Sequence, residues 1–339
     1  MATPEALHFQ FTGQGKEYFR IWITHLCLNL ITLGVYSAWA KVNENQYFCQ
    51  HTRLDGKPFH YHGNPLTILK GRLIAAGLCG SCIGLSQSNL IAAGIMLVII
   101  LSVLPWMLQQ TARFKLHNIS YRGLRFGFYG TTKGAAIYWV LFPIASVLTL
   151  GLWPIAQRYS QHYTRENSAY GSAYFRLETE NSEYYRIYLI ALVLIVLMYI
   201  DLITVALVMG LLGAFPNGPD QLLGHSAQIA AFSSLVGLYF FIYPFISARL
   251  QNLTWNNTGL EKQRFVSNVH ATELAHLIIV NTVLIILTAG LYKPFADIKL
   301  ARYRLEHLKV LPSGDLNEFL KNSKDQVLES RNETFDISL

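Results

Sequence analysis

The chain has 339 residues and a formal net charge of +7, yet only 14% of it is Asp, Glu, Lys or Arg, where soluble domains carry roughly 25%. So few charges cannot coat a soluble globule, and basic residues beside apolar runs answer to membrane orientation and anionic headgroups before nucleic acid, so no nucleic-acid partner is expected. Four scattered cysteines, Cys27, Cys49, Cys79 and Cys82, form no extracellular disulfide framework and are expected as free thiols.

Seven apolar windows follow in chain order, at about 18–38, 67–87, 89–108, 135–155, 187–214, 228–247 and 273–292, each near the roughly 20 residues that cross a hydrocarbon core as a helix. The first has Arg20 inside its start and no small-residue cleavage site, so it is expected to stay in the mature chain. It closes with ITLGVYSAW, and relatives of that phrase, LTLGLWP and LTAGLYKP, close the windows near 148–154 and 287–294.

The phrase opens a longer unit found five times. A small residue or Pro followed by a bulky one stands at Ala38-Trp39, Pro105-Trp106, Pro154-Ile155, Pro244-Phe245 and Pro294-Phe295; Tyr47, Phe114, Tyr163, Leu253 or Tyr303 comes next, and then Phe59, Phe126, Phe175 and Phe265. The fifth copy loses that last part. Gly34, Gly151 and Gly290 sit where a tight bend or close packing needs no side chain, while Tyr36, Trp39, Pro154 and Pro294 read as a helix end at the headgroup layer. The run after the exit, such as KVNENQYF, reads as an interfacial helix. From Thr52 the period changes to two: TRLDGKPFHYHG is a hairpin around Asp55-Gly56, with similar plans around Gly123 and Gly171, whereas NTGLEKQRFV has lost the turn glycine and carries a weaker hairpin signal.

In FTGQGKEYFRIW, TLGVYSAWAKVNENQYF and HTRLDGKPFHYHG the sequence resembles the YjgN-like bacterial inner-membrane proteins, a family of unknown function, with similarity over most of residues 9–310. The resemblance implies a multi-span protein of the bacterial inner membrane. It carries no reaction and no catalytic residue.

Charge sets the expected topology, because Lys and Arg in short loops mark the cytoplasmic face. Segment 213–227 and the turn Ser86-Gln87-Ser88-Asn89 hold none of the 27 basic residues and read as outside. Seven conventional crossings, the competing arrangement, would put some basic segments outside as well. If windows 18–38, 135–155 and 273–292 instead enter and return on one side, every basic residue and both termini become cytoplasmic, and 67–87, 89–108, 187–214 and 228–247 remain as four full spans. The fold class expected is therefore all-α and polytopic, built from repeats of membrane helix, interfacial helix and short cytoplasmic β-hairpin. A membrane domain over 1–310 would hold pseudo-repeats at about 9–134 and 135–270 with a partial copy at 271–310, followed by a cytoplasmic tail over 311–339.

Within the windows, Asp201 is the carboxylate in the longest apolar run and, with His25, Asn29 and Asn281, makes the candidate intramembrane polar site for a proton- or cation-coupled solute. A neutral acid bonding a neighbouring helix is the competing reading of Asp201. Cys79-Gly-Ser-Cys82 lacks the flanking strand of a redox dithiol, and its Gly80 and Gly84 read as a GxxxG helix-packing face. His51, His60 and His62 fall in one hairpin without a carboxylate cluster or HExxH, so a polar strand face is preferred to a metal site. No catalytic motif occurs, and neither a cofactor nor a metal is expected. The sequence thus points to a transporter or channel for a small solute or lipid; a non-catalytic membrane scaffold or lipid-organising protein is the alternative. Expected partners are membrane lipids, anionic headgroups among them, and a small ligand, with homo-oligomerisation left open.

Overall fold

The protein is described by a computed structural model covering residues 6–149, 151–211, 232–234 and 236–313. Segment 213–227 and the tail from residue 314 onward lie outside the described residues.

The element order is strand, helix, helix, strand, five times in succession. The first unit is β1 (Leu7–Phe11), α1 (Gly15–Ile31), α2 (Ser37–His51) and β2 (Thr52–Leu54), and the second is β3 (Lys57–Tyr61), α3 (Pro65–Ser88), α4 (Leu90–His117) and β4 (Ile119–Tyr121). The third is β5 (Leu124–Phe128), α5 (Thr132–Thr149), α6 (Trp153–Glu166) and β6 (Ser168–Tyr170). The fourth is β7 (Ala173–Leu177), α7 (Asn181–Leu211), α8 (Tyr243–Asn256) and β8 (Thr258–Leu260); the fifth is β9 (Gln263–Ser267), α9 (Ala271–Leu287), α10 (Lys293–Glu306) and β10 (Leu308–Leu311).

All neighbouring strands are antiparallel and the sheet closes on itself in the order β1-β10-β9-β8-β7-β6-β5-β4-β3-β2. This barrel overturns the all-α expectation. Its strands are only three to five residues long, too short to bury anything alone, and they hold because each pairs on both sides and no edge is left open. Because the strands alternate in direction, all the helical pairs leave from one end of the barrel and all the hairpin turns lie at the other. The two-residue turns fall at Asp55-Gly56, Arg122-Gly123, Gly171-Ser172 and Glu261-Lys262. In the last of these Glu261 itself takes φ of 51°, so the hairpin forms without the turn glycine. The fifth copy does not lose its partner strand either. Leu7 pairs with Val310 and His8 with Lys309, so the first strand of the chain supplies the missing hairpin arm and closes the ring.

The helices close the same ring: α2 packs on α3, α4 on α5, α6 on α7, α8 on α9, and α10 returns to α1. Side chains on several second helices also hold the strand-to-helix link of the next unit. Gln109 Nε2 donates to the Gly130 carbonyl at 2.6 Å, Arg158 Nε to Thr179 at 2.8 Å, Asn252 Nδ2 to Val269 at 2.9 Å and Arg302 to Gly13 at 2.8 Å. The last bond fastens the fifth unit to the first, the one seam that no hairpin turn bridges.

The Thr-x-Gly-x-aromatic phrase forms the bend between two antiparallel helices. In the first unit Leu33 and Gly34 take φ of 49° and 88°, and in the fifth Ala289 and Gly290 take 49° and 92°. The amide of Gly34 donates to Asn29 O and that of Gly290 to Ile285 O, both at 2.8 Å, the wider bond of a Schellman helix end. The threonine completes it: Thr32 Oγ1 donates to Leu28 O at 2.7 Å and accepts from the Tyr36 amide at 3.0 Å, and Thr288 does the same with Leu284 O and the Tyr292 amide. Such a bend leaves few bare backbone groups. Around it stands Leu33, 94% exposed, and Leu148 and Leu287 are bare in the same way at the tips of the third and fifth units.

Five helices, Pro65–Gln87, Ile91–His117, Thr132–Thr149, Asn181–Asp201 and Phe232–Asn256, are long and apolar enough to cross a membrane. Pro105 lies inside uninterrupted α4 and does not end it.

Candidate functional site

The barrel interior holds an apolar space. Strand alternation sends one face inward, and five times a phenylalanine meets an apolar partner across neighbouring strands: Phe9 with Leu54, Phe59 with Tyr121, Phe126 with Tyr170, Phe175 with Leu260 and Phe265 with Val310. The repeated Phe59, Phe126, Phe175 and Phe265 of the sequence are thus the barrel's lining. Tyr121 Oη donates to Leu54 O and Tyr170 Oη to Tyr121 O, both at 2.8 Å. Burial pushes both phenols above their ordinary pKa, so they remain neutral donors.

Ten strands enclose more room than these side chains fill, and a cavity of about 370 Å³ remains between the phenylalanines and the helix ends. A volume of that order suits a small ligand. Its lining is almost wholly apolar, with Thr52, Cys49 and Gln263 as the polar exceptions. Burial holds the Cys49 thiol up at about 11, so it stands there protonated.

Four of the five units line the helix-side floor of the cavity from one equivalent position, three residues before the closing strand. Cys49, Leu116, Trp255 and Leu305 occupy it in four units and line the cavity. In the third unit the residue is Arg165, which does not itself line the cavity but stacks on Trp255, which does. Its guanidinium lies 4.0 Å from the centre of the Trp255 ring and donates to Thr258 Oγ1 at 3.1 Å. Desolvation lowers its pKa to about 10, which leaves it charged at neutral pH. The outside of the barrel is the reverse of its inside: Arg53, Lys57, Arg125, Arg176, Lys262 and Arg264 are exposed there.

Of the sequence-derived polar candidates the structure brings two together. His25 and Asn29 line a recess of about 240 Å³ between α1, α2 and α3, together with Ser37, Lys41, Glu44 and Arg72. His25 Nε2 lies 3.1 Å from Asn43 Nδ2, Lys41 pairs with Glu44 at 3.1 Å, and Arg72 bonds the Ser37 hydroxyl. Asn281 is buried on α9 with its Oδ1 unpartnered, and Asp201 is exposed on α7; neither lines that recess. From Asn181 to Asp201 runs about 30 Å of helix at 1.5 Å per residue, so the carboxylate stands far from the barrel.

The repeat-motif residues take structural posts. Tyr47 Oη accepts from the Gln14 amide at 2.9 Å and Tyr303 Oη from His270 at 3.1 Å, each clasping the start of its own first helix. Pro154 and Pro294 stand in the first turn of α6 and α10, where the missing amide costs nothing. Trp39 stacks on Tyr36 at 6.1 Å, beside the bend. A Cβ placed on Gly80 or Gly84 would meet nothing within 4 Å, so no other helix described in the chain packs closely on that face. His62 Nε2 lies 2.8 Å from Ser120 Oγ, and among the described residues no three His, Cys, Asp or Glu side chains are grouped to hold a metal ion. Sequence reading missed Arg165 and Trp255; the signal was the single charge among five equivalent, otherwise apolar or aromatic, positions.

These features define a multi-span helical membrane protein whose helices rise from a closed, aromatic-lined β-barrel with an apolar cavity. The chain belongs to the family described as "Bacterial protein of unknown function (DUF898)", which it matches over residues 6–336. It is 24% identical to inner membrane protein YjgN of Salmonella typhimurium, over 94% of this chain and 92% of that protein. The proteins of the same name from Escherichia coli O157:H7 and K12 are each 26% identical over 42% of this chain and 36% of theirs. No solved structure matches the chain.

Proposed function

We propose that the protein is a carrier for a lipid-class amphiphile in the bacterial inner membrane, and that it receives the apolar part of this ligand in the barrel cavity. The observation that carries the reading is the cavity of about 370 Å³, apolar on nearly every side, set at the root of the membrane helices. A void of this kind in a polar aqueous domain has no use for water, which needs two to four polar partners, and suits a hydrocarbon chain that leaves the bilayer between the helices. The exposed Arg and Lys of the barrel exterior support a cytoplasmic barrel and cytoplasmic termini. The recess lined by His25, Asn29 and Arg72 supplies a polar station at the level of the helices for a passing headgroup. The related inner membrane proteins support the inner membrane as its place.

The test is binding of a fluorescent long-chain alcohol to purified protein, with Leu260→Trp to fill the cavity. Saturable binding lost in the variant is expected. A wild-type protein that binds no long-chain probe, or a filled variant that binds as well as wild type, overturns the proposal. A lipid-organising scaffold would bind headgroups on its basic face and leave the cavity empty in the same assay.

A further inference from the structure

A guanidinium stripped of most of its water is costly unless an anion compensates it. Among the described residues Arg165 has no such anion: it makes one neutral hydrogen bond to Thr258 and a cation–π contact with Trp255, and the group interacting with its charge is the Tyr184 phenol, which burial keeps neutral. Its chain neighbour Glu166 is engaged with His162 at 3.0 Å, and no carboxylate contributes to the Arg165 environment among the described residues. It fills the position that four apolar or weakly polar side chains occupy in the other units, against the tryptophan that lines the cavity. A structural arginine beside a purely apolar floor would lose solvation for nothing; one that meets a negatively charged headgroup recovers it.

We propose that the occupant of the barrel is an anionic single-chain amphiphile, its chain among the phenylalanines and its carboxylate or phosphate reaching past Trp255 to Arg165 at the helix end of the barrel. This rests on the reading of the cavity as a chain-binding site and adds the sign and place of the headgroup. Trp255 has two parts in it, holding the guanidinium in place and covering the first carbons of the chain. Thr258, 2% exposed, fixes the second edge of the guanidinium and leaves the other nitrogens for the anion.

The experiment compares three probes of equal chain length on purified full-length protein: a long-chain fatty acid, its alcohol, and the corresponding lysophosphatidic acid. The acid or the phosphate is expected to bind at least about tenfold tighter than the alcohol, the range of a charge-assisted pair in a dry site. Arg165→Gln should erase that preference while the alcohol binds as before, and Arg165→Lys should keep part of it. Which of the two anions wins identifies the headgroup class. Equal binding of all three probes by wild type, or a preference that survives Arg165→Gln, overturns the headgroup assignment and leaves the cavity reading standing; no binding of any probe sinks both.

Discussion

Thr288→Val isolates the chemistry of the helical bend. Valine keeps the β-branched shape and removes one oxygen, which donates to Leu284 O at 2.7 Å and accepts the Tyr292 amide at 2.9 Å. The two losses differ in weight. Leu284 O keeps the backbone amide of Thr288 at 3.0 Å, so losing the hydroxyl donor there costs little. The Tyr292 amide has no other acceptor among the backbone bonds of the bend, and leaving it bare in hydrocarbon costs about 1–3 kcal/mol. At a water-exposed tip, solvent would take the oxygen's place and the same change would cost below about 0.5 kcal/mol. The assay is reversible unfolding of the protein in bicelles by a denaturing detergent. Thr111→Val is the control, because the Thr111 hydroxyl makes only a donor bond to Met107 O within α4. The expected result is a loss of about 1–3 kcal/mol for Thr288→Val and under about 0.5 kcal/mol for the control. Equal losses would mean that the tip is hydrated and does not enter the membrane.

Gly34 takes φ of 88° in open space, so Gly34→Ala should cost backbone strain alone, about 1–2 kcal/mol, read in the same unfolding assay; no loss would show that the bend relaxes. Cys49, with its thiol held at about 11, should alkylate slowly with iodoacetamide at pH 8 and faster with each unit of pH above it; rapid labelling at pH 8 contradicts its burial. Because that pKa is raised from 9.0 in the fold, the thiol's contribution to stability is whole below about pH 9 and is lost as pH climbs through about 11, a decline that Cys49→Ala should lessen. A cysteine placed at Lys262, in the turn at the far end of the barrel, should react with a membrane-impermeant maleimide from the cytoplasmic side alone; labelling from the periplasm would reverse the orientation. Asp201→Asn should leave amphiphile binding unchanged, since the residue lies about 30 Å along α7 from the barrel end; a binding defect would bring it back into the site.

Much of the local structure is legible in the sequence because it is written at short range. Asp55-Gly56 and Arg122-Gly123 announce two-residue turns, since both residues of each pair need positive φ. The threonine and glycine of the bend act on atoms within five residues of themselves. Their meaning was harder to see: a helix that turns back and a helix that leaves the membrane share the same small and aromatic residues. The seam between β1 and β10 could not be read at all, because it joins Leu7 to Val310 and no local pattern marks which distant strand completes a ladder. The same limit hid the candidate site. Arg165 and Trp255 stand 90 positions apart and meet only because the third and fourth units are neighbours in the ring.

By itself, then, the amino-acid order determined that this chain lives in a membrane, where it bends, and which short stretches alternate, since hydropathy, turn chemistry and period act on neighbouring residues. The tertiary structure alone decided that the strands close into a barrel, that an apolar space is left within it, and that one arginine stacks on a tryptophan lining that space, because closure depends on pairing and packing between units that the chain keeps far apart.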